Sequence, residues 1–154
     1  MKAEIRKDRC VTLRPARADD LGNVLTLLKR ANLPTEGVVA DVMPNFVIAQ
    51  HEGTPVGVVG LELYRESALL RSAAVDESWR GSGVGRALVD RALDLTRQRG
   101  IQDVFLLTTT AEDYFPRFGF ACIARDSVPQ SVQASAEFQG ACPSTAVVMR
   151  KTVQ

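Results

Sequence analysis

The chain has 154 residues, 45% hydrophobic and 24% charged, a balance that excludes the low-hydrophobicity, high-charge composition of disordered chains. Nineteen Lys and Arg against eighteen Asp and Glu leave a net charge of +1, so no global field exists to hold a nucleic acid or a membrane surface. The length suits a single domain over residues 1–154, with no room for a second catalytic one.

No apolar run approaches the roughly eighteen residues of a spanning helix. Met1 to Asp8 also lacks the apolar stretch of a leader, so a cytoplasmic protein is expected. Cys10, Cys122 and Cys142 are odd in number and far apart, which predicts free thiols and no metal site. The single histidine, His51, adjoins the turn candidate Glu52-Gly53-Thr54-Pro55 and reads as a solvated turn residue, not a catalytic one.

In chain order, alternation from Cys10 to Pro15 predicts a half-buried strand that Pro15 ends. Ala18-Asp19-Asp20 offers caps for a helix whose stripe is Leu21, Val24, Leu25, Leu27 and Leu28, ended by Asn32 and Pro34. Thr35 to Val42 reads as a short second helix stopped before Pro44. Phe46 to Ala49 and Pro55 to Tyr64 flank the Gly53 turn as an antiparallel hairpin, and Leu69 to Val75 makes a third strand after Glu66-Ser67.

Val84, Ala87, Leu88, Ala92 and Leu95 mark an amphipathic helix that Gly100 closes, and Val104 to Leu107 is a strand buried on both faces. Strand, helix and strand form a βαβ unit with parallel strands, so the sheet is mixed. Ala111 to Phe118 reads as a short helix, and Gly119 to Ala124 and Thr145 to Met149 as strands. Between those strands, residues 126–143 form a long segment with one helical turn after Ser131, and a segment of that length is often part of a site.

Arg80-Gly81-Ser82-Gly83-Val84-Gly85 lies between a strand and the start of the clearest helix, where free N–H groups and the helix dipole favour an anion. The glycines alone would equally suit a tight turn. A P-loop would continue Gly-Lys-Ser/Thr, whereas Arg86-Ala87 follows Gly85. A dinucleotide fingerprint needs a glycine at 86 and an acid ending the next strand, but Asp103 begins that strand.

The pattern Arg/Gln-x-x-Gly-x-Gly does fit, as Arg80-x-x-Gly83-x-Gly85 after a strand ending Ala73-Ala74-Val75-Asp76. With Tyr114-Phe115-Pro116-Arg117-Phe118-Gly119-Phe120, the chain resembles the GNAT N-acetyltransferase superfamily from about Val11 to Met149. The resemblance implies an α+β fold with a mixed, mostly antiparallel sheet, a central parallel βαβ unit and flanking helices. It implies acetyl-coenzyme A as cosubstrate, with Arg80, Gly81, Ser82, Gly83, Val84, Gly85 and Arg86 at its pyrophosphate. Ala73, Ala74 and Val75 would meet the pantetheine and thioester, and Thr108, Ala111, Tyr114 and Phe115 would line the other side.

The chain is further similar to the arsenic-resistance N-acetyltransferases of that superfamily. Leu33-Pro34, Gly60-Leu61-Glu62, Leu69-Leu70-Arg71-Ser72, Leu107-Thr108-Thr109-Thr110-Ala111 and Cys142-Pro143 carry this likeness. It implies a small amine acceptor, with an arsenic- or phosphorus-containing amino acid among the candidates. No nucleic acid, membrane or metal partner is expected, and a homodimer is left open.

Acetyl transfer needs a neutral amine, a stabilised oxyanion and a proton for the leaving thiolate. Many superfamily members donate that proton from a tyrosine at the position held here by Phe115. Tyr114 lies one residue, roughly 100° on a helix, away and is not expected to replace it. Water or the departing ammonium proton would serve.

A two-residue loop at Glu66-Ser67 would place Glu62 opposite Arg71 on one face of the hairpin. An acid and a base among apolar neighbours either form a cross-strand ion pair that holds register or act on the acceptor. In the second case Arg71, with Ser72 beside it, binds an anionic group and Glu62 orients or deprotonates the amine. Cys142 is either a small buried hydrophobe or a contact for a thiophilic atom. An alternative reading of the whole chain is a non-catalytic acyl-coenzyme A sensor that kept the pyrophosphate loop.

Overall fold

The structure, a computed structural model, describes residues 10–154, so the leader reading of Met1 to Asp8 lies outside the described residues. A seven-stranded mixed sheet runs in the order β1-β2-β3-β4-β5-β7-β6. Its strands are β1 Thr12–Pro15, β2 Phe46–His51, β3 Thr54–Tyr64, β4 Ser67–Val75, β5 Asp103–Thr108, β6 Ala121–Cys122 and β7 Val147–Thr152. Helix α1 spans Leu21–Arg30, α2 Val84–Gln98 and the short α3 Gln130–Gln133. Strand β4, helix α2 and parallel neighbour β5 are the expected βαβ unit. Among the described residues no helix is long and apolar enough to cross a membrane.

Both faces of the sheet are covered. Helix α2 sets Val84, Leu88, Ala92 and Leu93 against Val47, Val59, Leu61 and Leu106. On the other face Val24 and Leu28 of α1 pack on Phe46, Ile48, Val58 and Ala74. Farther along, Val128 and Val132 cover Leu69, Phe105 and Val148. Helices α1 and α2 each end on a left-handed residue, Asn32 (φ 58) and Gly100 (φ 73), the conformation that terminates helices while satisfying their last carbonyls. Leu33 N–H reaches back to Leu28 O at 3.0 Å and Ile101 N–H to Thr96 O at 3.0 Å.

Several local expectations are corrected. The predicted helix from Thr35 to Val42 is a turn at left-handed Gly37 (φ 79) followed by a 3-10 helix, Ala40–Asn45, that contains Pro44. That left-handed residue interrupts an α-helix within its first turn. Ala111 to Phe118 is a set of turns closing in a 3-10 helix, Phe115–Phe118, because Pro116 supplies no N–H and Gly119 (φ 94) reverses the chain. The strand after Gly119 shrinks to β6, and the last strand runs on to Thr152. Asp20 does not cap α1 with its side chain but pairs with Arg14 at 2.8 Å and accepts from Arg17 N–H at 2.7 Å.

The β3–β4 hairpin turns at Arg65-Glu66, one residue earlier than expected, with Arg65 left-handed (φ 44). Glu62 therefore faces Leu69, and Arg71 faces Gly60. A shift of one in a hairpin loop moves the register by two, so Glu62 and Arg71 stay on one face as diagonal neighbours. His51 is half-buried against the Trp79 ring at 5.0 Å, with Nδ1 2.7 Å from Cys10 O, so it is more than a solvated turn residue.

Candidate active site

A β-bulge shapes the site. Val58 pairs with Ala74 and Gly60 with Arg71, so Val59 alone opposes Ser72 and Ala73. Ser72, the first of the two opposed residues, takes the left-handed conformation (φ 60) found in one class of such insertions. The extra residue reverses the side-chain alternation. Leu69 and Arg71 point to the face covered by residues 126–143, and beyond the bulge Ala74, not Ala73, points that way.

The bulge lies next to a second irregularity. The parallel ladder between β4 and β5 ends at Leu69↔Phe105, although β4 runs on to Val75 and β5 to Thr108. The two strands part there, leaving backbone without a ladder partner at a place where an amide-bearing chain could pair with it. Between them opens a cavity of about 630 Å³, within the range of small-molecule sites.

The cavity wall brings together most of the predicted residues. Arg71, Ser72, Ala73, Ala74 and Val75 line one side, with Gly85 at the start of α2. Thr108, Ala111, Tyr114 and Phe115 line the other. The Thr108 side chain holds that loop by accepting from Ala111 N–H at 2.9 Å. A Cβ on Gly85 would sit 3.5 Å from both the Tyr114 hydroxyl and Val75 Cγ2, so the tyrosine crosses the cavity to the α2 N-terminus. Burial raises the Tyr114 phenol above its ordinary value, keeping it a neutral donor.

Other predicted residues stand apart. Arg80, Gly81, Ser82, Gly83 and Val84 make the turn into α2, where Gly81 (φ 78) and Gly83 (φ 92) are left-handed. A Cβ on Gly81 would meet nothing within 4 Å, so that glycine serves the backbone turn and an open approach, not packing. The Ser82 hydroxyl donates to Trp79 O and is turned into the protein. Arg80 reaches a separate hollow with Leu27, Arg30 and Asp76. Arg86 lies 4.0 Å from Asp90 and over the Phe118 ring, in a cleft with Arg97 and Arg117. Glu62 does not line the main cavity.

Arg71 is the centre of a buried polar cluster, its side chain 1% exposed. Nη1 donates to Glu62 Oε2 at 2.6 Å, Nε to Ser72 Oγ at 3.0 Å and Nη2 to Pro34 O at 3.4 Å. The Tyr64 hydroxyl donates to the other Glu62 oxygen, and burial and that carboxylate push the phenol up. Glu137 Oε2 lies 3.6 Å from Arg71 Nε. Burial, helped by Glu62 and opposed by Arg71, pushes Glu137 up to about 7. Burial and the Glu137 charge push Cys142 up to about 11, so it is a thiol at neutral pH. Pro34, Glu137, Ala141, Cys142 and Pro143 join Arg71 in the cavity wall.

Sequence reasoning missed Glu137. It lies inside residues 126–143, already read as site-forming, but no periodic pattern singles it out. An acid flanked by Ala136 and Phe138 was the available signal.

The comparisons with known proteins agree with this geometry. The acetyltransferase (GNAT) domain family matches residues 44–122, from just before β2 through β6. An N-acetyltransferase of Chlorobaculum tepidum is 31% identical over 107 residues, 69% of this chain and 66% of the relative. An amino-acid acetyltransferase of Mycobacterium tuberculosis is 34% identical over 110 residues, 69% of this chain and 61% of the relative. The chain thus spans less than two thirds of the length of these relatives. Among solved structures, Rv2747 of Mycobacterium tuberculosis, in complex with CoA and a second ligand, superposes with a TM-score of 0.80 at 25% identity, covering 92% of this chain and 98% of that one. N-acetylglutamate synthase of Neisseria gonorrhoeae, complexed with coenzyme A and N-acetyl-glutamate, gives 0.82 at 20% identity over 96% of this chain and 36% of its own. With its mixed sheet, parted central strands and glycine turn into α2, this chain belongs to the GNAT acetyltransferase domain family.

Proposed function

We propose that the chain transfers an acetyl group from acetyl-coenzyme A to the amine of a small anionic acceptor of the amino-acid class. The observation that carries this reading is one cavity lined both by the parted β4 backbone, Ala73 to Val75, and by the buried guanidinium of Arg71. The cosubstrate's pyrophosphate belongs at the Arg80 to Gly85 turn, where left-handed glycines expose N–H groups at the start of a 15-residue helix. Its pantetheine lies along β4 where β5 has parted, with Thr108, Ala111, Tyr114 and Phe115 opposite.

Three of the five N–H donors of Arg71 are engaged within the protein, which leaves two for an acceptor carboxylate, phosphinate or arsenical oxyanion. Ser72 stands beside it. Glu62 holds Arg71 in place, since both its oxygens are already hydrogen-bonded. The Mycobacterium tuberculosis relative is an amino-acid acetyltransferase, which supports an amino-acid acceptor.

Acceptors that carry arsenic or phosphorus fall within this class. Supporting them, most segments that resemble the arsenic-resistance subgroup converge on the cavity wall: Leu33-Pro34, Leu70-Arg71-Ser72, Leu107 to Ala111 and Cys142-Pro143. The test is acetyl-coenzyme A consumption against amino acids, their phosphinic and arsenic analogues, and aminoglycosides. Turnover confined to anionic amino acids is expected. Tight acetyl-coenzyme A binding with no turnover on any amine would instead establish the sensor reading.

A further inference from the structure

One ionisable side chain in the cavity wall has no part in the transfer as described so far. Glu137 is 4% exposed yet lines the same cavity as Ser72, Cys142 and the Ala73 to Val75 backbone. The turn Glu137–Ala141 carries it inward: left-handed Gly140 (φ 120) reverses the chain, and Cys142 N–H donates back to Glu137 O at 3.1 Å. Its carboxylate is loosely held, by the Cys142 thiol, a weak donor. The nearest cation, Arg71 Nε at 3.6 Å, donates its hydrogen to Ser72 Oγ instead.

Glu62 is the opposite case, with Tyr64 on one oxygen, Arg71 Nη1 on the other at 2.6 Å, and no share of the cavity wall. A general base needs a free lone pair within reach of the proton it removes. Of the two carboxylates beside Arg71, Glu137 alone has both.

We propose that Glu137 is the general base of the reaction, taking a proton directly from the acceptor's ammonium group inside the cavity. The inference rests on the transferase reading above. In the step, the ammonium N–H bond breaks and its proton passes to a Glu137 oxygen, leaving a neutral amine. The amine lone pair forms the C–N bond to the thioester carbonyl, and collapse of the tetrahedral adduct breaks the C–S bond. The second nitrogen proton passes to the departing thiolate, which leaves as a thiol. Glu137 then returns its proton to water, so one proton is released per acetyl transferred.

The surroundings suit a base that works near neutrality. Arg71 faces Glu137 from β4, Glu62 with its partner Tyr64 from β3, Glu36 from the loop before Ala40, and Cys142 from the same segment. Burial is the largest influence and, with the Glu62 charge, outweighs the Arg71 cation, so the carboxyl is poised at about 7. Ionised Glu137 also gives the Glu62–Arg71–Glu137 cluster a net negative charge, which draws an ammonium group to the carboxylate that receives its proton.

The test uses the full chain, the variants Glu137→Gln and Glu137→Asp, and as acceptor whichever of L-glutamate, L-aspartate, L-glutamine or a phosphinic amino acid the wild type turns over best. Three quantities are read: kcat against pH, acetyl-coenzyme A affinity by calorimetry, and carbon-13 NMR titration of the glutamate carboxyls without substrates. Wild-type kcat should rise through one ionisation near 7, and one carboxyl signal should titrate there. Glu137→Gln should lose that rise, that signal and roughly 10²–10³ of kcat, with acetyl-coenzyme A affinity within about twofold. Glu137→Asp should recover part of kcat and restore the pH limb.

The proposal is overturned by wild-type kcat with an intact pH limb in Glu137→Gln, or by a variant that loses only stability and acceptor affinity. The absence of any glutamate signal titrating above the ordinary carboxylate range overturns it too, even if Glu137→Gln fails to fold. A wild type that binds acetyl-coenzyme A but acetylates nothing removes the transferase reading itself, and the base with it.

Discussion

The two ends of the cavity are built on different principles. The proposed cosubstrate end is made of backbone: a glycine turn, a helix start and two strand edges that part at Leu69↔Phe105. The proposed acceptor end is centred on side chains, Arg71 on β4 with Glu137 and Cys142 from residues 126–143, and Arg71 is held from behind by Glu62 on β3 and by the Pro34 carbonyl. Backbone can hold a ligand common to a whole family while the side chains vary. A cluster of buried charges is free to specify one acceptor, because each member is stable only with its partners.

Four changes sharpen this contrast. Gly83→Val places a β-branched residue at φ 92, in the left-handed region, where no β-branched residue fits without strain. Acetyl-coenzyme A binding should fall below calorimetric detection while circular dichroism shows a folded chain. Unchanged affinity would contradict the loop assignment.

Arg71→Ala strikes the other end. Removing one partner of a buried ion pair typically costs about 3–5 kcal/mol, and here the loss strands Glu62 and Glu137 without their cation. The melting temperature should drop strongly and the acceptor KM should rise, with the KM for acetyl-coenzyme A nearly unchanged. Equal losses in both KM values would show that the two ends are one unit.

The third change is in pH. Glu137 has its carboxyl raised from 4.5 to about 7, so the folded state holds its proton where the unfolded chain has released it. The stability this confers is complete below 4.5 and is lost as pH rises to about 7. Asp20, held down to about 2 by Arg14, acts oppositely: its contribution is present above 3.8 and lost as pH falls toward 2. Denaturant titrations should show wild type losing stability relative to Glu137→Gln between pH 4.5 and 7. Parallel curves would place Glu137 in a more polar environment than its burial indicates.

The smallest effect belongs to Tyr114→Phe. The hydroxyl lies over the α2 N-terminus, so its loss should weaken acetyl-coenzyme A binding modestly and leave kcat within a few-fold. A fall of about a thousandfold would make it the acid for the leaving thiolate.

The same division governs what could be read from the sequence. The βαβ unit and the glycine turn were legible because their signals are local: helical periodicity from Val84 to Leu95, a continuous apolar strand, and glycines where the backbone turns left-handed. The hairpin register was not, because Arg65-Glu66 lacks the Asn-Gly or Asp-Gly signature of a two-residue turn, and Arg65 takes a positive φ that no propensity announces. The face shared by Glu62 and Arg71 survived the error because strand periodicity is two. The Ser72 bulge and the approach of Glu137 depend on contacts between residues far apart in the chain, which no local pattern encodes.

The central claim is that the parted strands present an acetyl thioester to an amine held in the Arg71 pocket. Its most direct test is release of free thiol from acetyl-coenzyme A, followed for the wild type with each member of the amine panel. Release confined to anionic amino acids, and strongly reduced at sub-saturating acceptor in Arg71→Ala with acetyl-coenzyme A binding intact, is the result predicted here. Release that is indifferent to acceptor charge, or tight acetyl-coenzyme A binding with none, would contradict it.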